Sequence, residues 1–243
     1  MKLRLLTLFI MITALSFGQS LRRTTLGLEP GALIPLNDFA SADATLISDT
    51  SESYPGFAKT GMMIRLVFEH RLTHNFGVQA DFIYGYNNID QEKMAVSLGQ
   101  VSDAALSIVA SRPWNYAGIL AGPFFKIPFT DDFSFMIRGK AGGVGVYSPE
   151  YKITGHYNDD QSKIEYYQYV NKTFSFIWTA GAGFQYMLSK YSFSLYSDYL
   201  ALNADFDNVT GQDWSVKPPA ETQISFRQKI SAVSITFGIS YIF

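Results

Sequence analysis

Three very short polar turns alternate with four long polar connections along this chain, and that rhythm constrains the fold more than any other feature. The turns are Thr73-His74-Asn75, Thr130-Asp131-Asp132 and Ser189-Lys190, and the long connections run over about 36–60, 88–113, 148–172 and 203–226. Between them lie segments that alternate apolar and polar residues, the period of a strand. Eight such segments, at about 22–35, 60–72, 76–87, 113–128, 133–147, 173–188, 191–202 and 227–243, are joined by long and short connections in turn. This predicts an all-β fold: an eight-stranded antiparallel up-and-down transmembrane β-barrel with short periplasmic turns and long extracellular loops.

The last segment shows the alternation most cleanly. Val233, Ile235, Phe237, Ile239, Tyr241 and Phe243 fall on one face, and Ala232, Ser234, Thr236, Gly238 and Ser240 on the other. The second, third and sixth segments repeat the split. In a small membrane barrel the bulky face meets lipid, and small or polar residues fill the narrow lumen. Composition agrees: aromatics reach 16%, while charged residues are held to 16%, below the quarter usual in soluble domains. Past Gln19 no stretch approaches 18 uninterrupted apolar residues, so no spanning helix is expected in the mature chain.

A net charge of −2 offers no basic field, and no nucleic-acid partner is expected. The absence of cysteine excludes disulfides, thiolate metal sites and a lipid-anchored N-terminus. Lys2 and Arg4, the apolar run Leu5–Leu15, and the small residues Ser16 and Gly18 read as a secretory signal peptide over 1–18. That leaves 19–243 as one outer-membrane β-barrel domain.

Following the alternation, Glu29, Arg65, Glu69, Asp81, Arg138, Lys140 and Asp198 all point inward. A lipid-facing Arg or Lys near the midplane costs about 2–4 kcal/mol, whereas inside a barrel it can pair. Three cations against four anions nearly balance, which predicts an ion-pair network in a filled lumen with no open pore. Gly142-Gly143, inside the fifth segment, is read as a bulge or a kink.

Candidate chemistry is sparse. His70 and His74 have a spacing that would pair them on a helix, but a strand followed by a turn defeats it, so no metal site is assigned. His156, Asp159, Asp160 and Ser162 share the third long connection and could in principle supply a base and a nucleophile. Asn158-Asp159-Asp160 reads more simply as a hairpin turn, and no catalytic residue or cofactor is assigned. Tyr151, Tyr157, Tyr166, Tyr167 and Tyr169 crowd the same connection. They are either an outer aromatic girdle or a contact surface for a glycan, a lipid headgroup or a protein. Asp205, Asp207, Asn208 and Asp213 around Gly211 have the carboxylate density of a calcium site but not the order of the twelve-residue calcium loop, and read as a solvated acidic loop. Ser102–Ser111 reads either as a short helix capped by Ser102 or as a hairpin.

Several short motifs carry a family likeness. Tyr54-Pro55-Gly56-Phe57 leading to Gly61, then Phe68-Glu69-His70-Arg71-Leu72, resembles the opening of the PorT-like outer-membrane β-barrel family of Bacteroidetes. Ala121-Gly122-Pro123, the stretch from Ala180 to Tyr186, and the ending Ile239-Ser240-Tyr241-Ile242-Phe243 are similar to its later strands. The resemblance implies an integral outer-membrane protein of the Gram-negative cell envelope and permits a role as an accessory to secretion or surface assembly; the filled lumen, the long loops and the lack of a catalytic set point to a non-enzymatic structural or accessory protein acting through its loops. Expected partners are outer-membrane lipids, the barrel-assembly machinery that reads a terminal aromatic residue, and an envelope protein. The alternative is a small channel or a ligand-binding barrel for small solutes or lipids. A soluble β-sandwich or lipocalin-like barrel would have to bury a face carrying too many aromatics for a small interior.

Overall fold

The computed structural model describes residues 24–48, 53–159 and 162–243. The expected signal peptide and Asp160 lie outside them. Eight strands form a closed ring: β1 (Thr24–Leu36), β2 (Gly61–Arg71), β3 (Phe76–Asn87), β5 (Trp114–Pro128), β6 (Phe133–Tyr147), β9 (Lys172–Leu188), β10 (Tyr191–Asp213) and β11 (Ala220–Ile242). Neighbours in chain order pair antiparallel, and closure is made by β11 against β1 from Thr25↔Ile242 to Leu36↔Ser231. Three further strands, β4 (Ala104–Arg112), β7 (Glu150–Tyr157) and β8 (Lys163–Gln168), extend the sheet beyond the ring. They hang on the end of β10 through Gly211↔Gln168, in the order β10-β8-β7-β4.

The period-2 reading translates into burial. On β2, Met62, Ile64, Leu66 and Phe68 are exposed while Met63, Arg65, Val67 and Glu69 are buried. On β9 the exposed row is Phe174, Phe176, Trp178, Phe184, Tyr186 and Leu188. Two-sided alternation of this kind pins register, because a slip of one residue would move every charge to the outer face.

Several long connections hold more structure than their polarity suggests. The acidic connection 203–226 is mostly ladder, since β10 and β11 stay paired out to Asp213↔Ala220 with one shift of register between Phe206 and Val209. Its cause is readable: Leu202, Ala204 and Phe206 are buried in alternation as in the earlier strand, and Val209 resumes the buried row after the shift. Ser102 closes a helix instead of opening one. Helix α1 is a single turn, Asn37–Ala40, and α2 spans Gln91–Ser102, with the Asp90 side chain accepting the Lys93 backbone N–H at 3.3 Å. An N-cap of this kind satisfies one of the free N–H groups of the first turn. Helix α2 ends at Asp103, in the left-handed region at φ 49°, and β4 then pairs with β7.

At Gly142-Gly143 there is no bulge. Leu120↔Gly142 and Ile119↔Gly143 keep the register of Phe124↔Arg138. The glycines serve close approach: a Cβ on Gly142 would lie 2.0 Å from the Ile119 carbonyl oxygen, and one on Gly143 2.3 Å from the Phe174 ring.

Candidate functional site

The interior of the ring falls into three layers. In the middle sits an ionic cluster assembled from four strands. Arg138 forks onto Asp198, with Nε donating to Oδ1 at 2.8 Å and Nη2 to Oδ2 at 2.7 Å. Its Nη1 and Nη2 also donate to the two Glu29 oxygens at 3.2 and 3.0 Å. Arg65 donates to Asp198 at 2.6 Å and to Ser234 Oγ at 2.6 Å, and lies 3.8 Å from Glu29. All four charged residues are at most 2% exposed. A planar guanidinium with five fixed donors suits such a site, where each proton needs an acceptor.

The register explains how the pairs can form. Arg138, Gly181, Asp198 and Ser234 are successive cross-strand partners on β6, β9, β10 and β11. Gly181 carries no side chain, so Arg138 reaches over it to Asp198; a Cβ there would stand 2.2 Å from Asp198 Oδ1. The Tyr196 ring floors the cluster, 3.7 Å from the Arg138 guanidinium carbon. Beside this quartet, Lys140 donates to Asp81 at 2.5 Å, and Gln79 Nε2 donates to the other Asp81 oxygen at 2.7 Å.

Toward the short turns, Glu69 accepts from Thr25 at 3.2 Å and lines one small void of about 10 Å³ with Arg71, Lys126 and Gln185. Lys126 is 5% exposed and donates to Gln185 at 2.9 Å. Sequence reasoning missed it, because Phe124-Phe125 puts two bulky residues side by side and hides the alternation. Phe124 is in fact buried and Phe125 exposed, which turns Lys126 inward. With Lys126 included, the fully buried charges of the ring among the described residues are four cations, Arg65, Lys126, Arg138 and Lys140, and four anions, Glu29, Glu69, Asp81 and Asp198.

Toward the long connections the interior is apolar. Leu33, Met63, Ile83, Leu120, Val144 and Ile177 form a buried layer. Phe39, from α1, is inserted on top of it, edge-on to Trp114 with ring centroids 5.8 Å apart and to Tyr116 at 6.3 Å. Backbone and side-chain bonds lock this lid: Trp114 Nε1 donates to the Gly56 carbonyl at 3.0 Å, and Tyr116 Oη to Asn87 Oδ1 at 2.9 Å. Asn87 in turn donates to the Leu33 and Lys59 carbonyls. Phe57 sits at φ 48°, a costly conformation for a bulky residue. It is held there by its N–H on the Ser41 carbonyl and by its carbonyl accepting the Asp90 N–H.

The tyrosines of the third connection do not share one face. Cross-strand pairing puts Tyr151 beside Gln168 and Ile153 beside Tyr166, on one face of the β7–β8 hairpin, with Tyr157 following the same parity. Tyr167 and Tyr169 occupy the other face, their rings 4.6 Å apart. Tyr167 bonds Glu150 and Tyr169 bonds Gln212, while burial raises the Tyr151 hydroxyl above its usual range. On the Tyr167 face, Lys152 and Lys163 flank the Glu165 carboxylate and pull it down to about 2.

His70 accepts or donates at Thr24 Oγ1, 3.0 Å away on the neighbouring strand, and His74 lies in the following turn. His156 is exposed opposite Lys163, and among the described residues its side chain makes no hydrogen bond. Asp205 is taken by Arg227 at 2.5 Å. Among the described residues, no group of three His, Cys, Asp or Glu side chains could hold a metal ion.

No family model matches the chain, and no curated protein does. The likeness to the PorT-like family therefore stays with the short motifs that suggested it. Among solved structures, the chain is similar to Neisserial surface protein A at 8% identity, over 90% of this chain and 97% of that one, with a TM-score of 0.46. It is likewise similar to a major outer membrane protein from Thermus thermophilus at 11% identity, over 90% and 99%, TM-score 0.46. The attachment invasion locus protein Ail of Yersinia pestis shows 12% identity over 91% and 99%, TM-score 0.43.

Proposed function

We propose that the ring is an eight-stranded transmembrane β-barrel of a Gram-negative outer membrane, closed to solutes, that works through its long-loop layer as a non-enzymatic structural or accessory protein of the cell envelope. The observation that carries this reading is the outer face of the ring. Large apolar side chains are exposed on every strand of the ring: Leu28, Leu66 and Phe68, Phe82, Ile119, Ile137, Phe176, Leu195, Phe237 and Ile239. Soluble monomers rarely show a contiguous apolar patch beyond a few hundred Å². From Phe174 to Leu188 the exposed row on β9 runs about 46 Å along the strand at about 3.3 Å per residue, on the order of 35 Å along the axis at a tilt of about 40°, enough for a hydrocarbon core. Aromatic contacts cluster at the short-turn end, where Tyr191, Tyr241 and Phe243 are in edge contact, as an interface girdle would be.

Closure follows from the interior. Arg65, Arg138 and Lys140 bond Glu29, Asp198 and Asp81, Glu69 and Lys126 are held by Thr25 and Gln185, and the Phe39 lid sits on an apolar layer, which argues against the channel alternative. Lipids would contact the outer face, and an envelope protein would dock on the β7–β8 hairpin, where Tyr157 and Tyr169 are exposed. The secretion or surface-assembly role rests on the PorT-like motifs.

Fractionation tests location: the protein should sediment with outer membranes and migrate faster unheated than boiled, as a folded barrel does. Recovery as a soluble periplasmic protein would end the barrel reading. A pull-down from mild detergent with a tag in the β7–β8 turn should bring an envelope protein in stoichiometric amount, and recovery of the barrel alone would remove the accessory role.

A further inference from the structure

Above the lid, in the layer built by the long connections, lies a cavity of about 170 Å³. Its wall is apolar: Phe57, Ile89, Met94, Leu98, Trp114 and Ile153 face it, with Phe226 and Tyr54 on the β11 side. Two amides interrupt that wall. Gln168 is spent, since its Oε1 accepts from Tyr151 at 2.8 Å and its Nε2 faces the Pro149 carbonyl at 3.5 Å. Gln228 is not. It is 0% exposed, and its Nε2 donates to the Lys229 carbonyl at 3.2 Å, which fixes the amide's orientation and leaves Oε1 buried with no partner among the described residues. A buried acceptor without a donor is costly, and native proteins seldom keep one without a water or ligand to serve it.

We infer that this cavity binds a small neutral molecule with a single-ring apolar body and one hydroxyl, the hydroxyl donating to Gln228 Oε1. The size sets the class: an apolar cavity of about 150 Å³ takes a benzene ring, so one ring with a small substituent fits here. The chemistry sets the polarity. The cavity offers one fully buried side-chain acceptor without a partner among the described residues, Gln228 Oε1, and no charged wall residue, so a neutral donor is preferred over an anion or a cation. The strained backbone at Phe57, in the wall itself, is what a site shaped for a ligand tends to retain.

The test uses the whole protein in lipid nanodiscs and two near-isosteric probes, para-fluorophenol and fluorobenzene, followed by fluorine NMR. Wild type should bind para-fluorophenol saturably and about tenfold more tightly than fluorobenzene, which lacks the donor. Gln228→Leu keeps the shape and removes the acceptor, and should bind the two probes within about twofold of each other. Leu98→Trp puts an indole into the cavity and should abolish saturable binding of both; should that variant fail to fold, Ile153→Trp makes the same test from another wall residue. Equal affinity of wild type for the two probes, no saturable binding at all, a preference that survives Gln228→Leu, or binding unchanged in the filled variants would each overturn the inference.

Discussion

The middle of the ring and its mouth are closed by opposite means. In the middle, Arg65, Arg138, Glu29 and Asp198 are nearly devoid of solvent contact and satisfy one another through charge-assisted bonds. At the mouth, Phe39, Trp114 and Tyr116 close the same bore with aromatic edges, and the few polar groups there are tied to backbone carbonyls and to each other. The difference lies in what happens when one partner is lost. A packed aromatic layer loses contacts in proportion to what is removed. An ion cluster loses far more, because the surviving charges stay buried without compensation. The centre should therefore govern whether the ring forms at all, and the mouth whether its top stays shut.

Substitutions sharpen that contrast. Asp198→Ala strips two arginines of their shared acceptor and should destabilise the ring by about 3–5 kcal/mol, measured by urea unfolding from lipid vesicles. Replacing Lys140 and Asp81 together, by Met and Leu, should cost far less than either change alone, because no charge is left behind. Next in size, Phe39→Ala should cost about 3 kcal/mol, felt locally. Hydrogen exchange should rise around residues 54–58 and 114–116 while the midpoint of ring unfolding stays put; a global shift in that midpoint would erase the distinction between the two layers. Gly181→Ala pushes a methyl against the Asp198 carboxylate and should cost about 1–3 kcal/mol in the same unfolding assay. Trp114→Phe keeps the ring packing but strands the Gly56 carbonyl, for about 1–2 kcal/mol and faster exchange at the lid.

The smallest effect is in pH. Glu165 has its carboxyl held down at about 2 by Lys152 and Lys163. A depressed carboxylate contributes stability above its unfolded value, near 4.3, and loses that contribution as pH falls through its folded value. The β7–β8 hairpin should thus keep its order from neutral pH to about 4 and loosen between about 4 and 2. Carbon NMR titration of Glu165 checks this; Glu165→Gln should flatten the response.

Why some of this was legible in the sequence and some was not follows from how far each pattern reaches. Strand alternation is local, so the eight ring strands, their outer faces and the inward aim of Glu29, Arg65, Asp81 and Asp198 can be read from neighbours two residues apart. Lys126 escaped because Phe124 and Phe125 break the visual alternation without breaking the strand. The extension of β10 was hidden by Asp205 and Asp207, although Ala204 and Phe206 kept the period between them. Helix α2 lies before the segment that the sequence pattern opens at Ser102; Asp90 as cap, with Met94 and Leu98 on one side, is the signal that could have placed it. The lid could not be read at all. Phe39, Gly56 and Trp114 come from three separate segments, and only the closed ring brings them together.

Conductance across a planar bilayer tests the central claim, a spanning ring sealed by its own side chains. Purified protein, first shown by flotation to be inserted into vesicles, should leave bilayers electrically silent, and so should Phe39→Ala, because the ionic centre still fills the bore; only Phe39→Ala combined with Asp198→Ala, where it still inserts, should give flickering openings. Steady conductance of the unaltered protein, at the size of a water-filled pore, would contradict the sealed interior and make the buried charges the lining of a path.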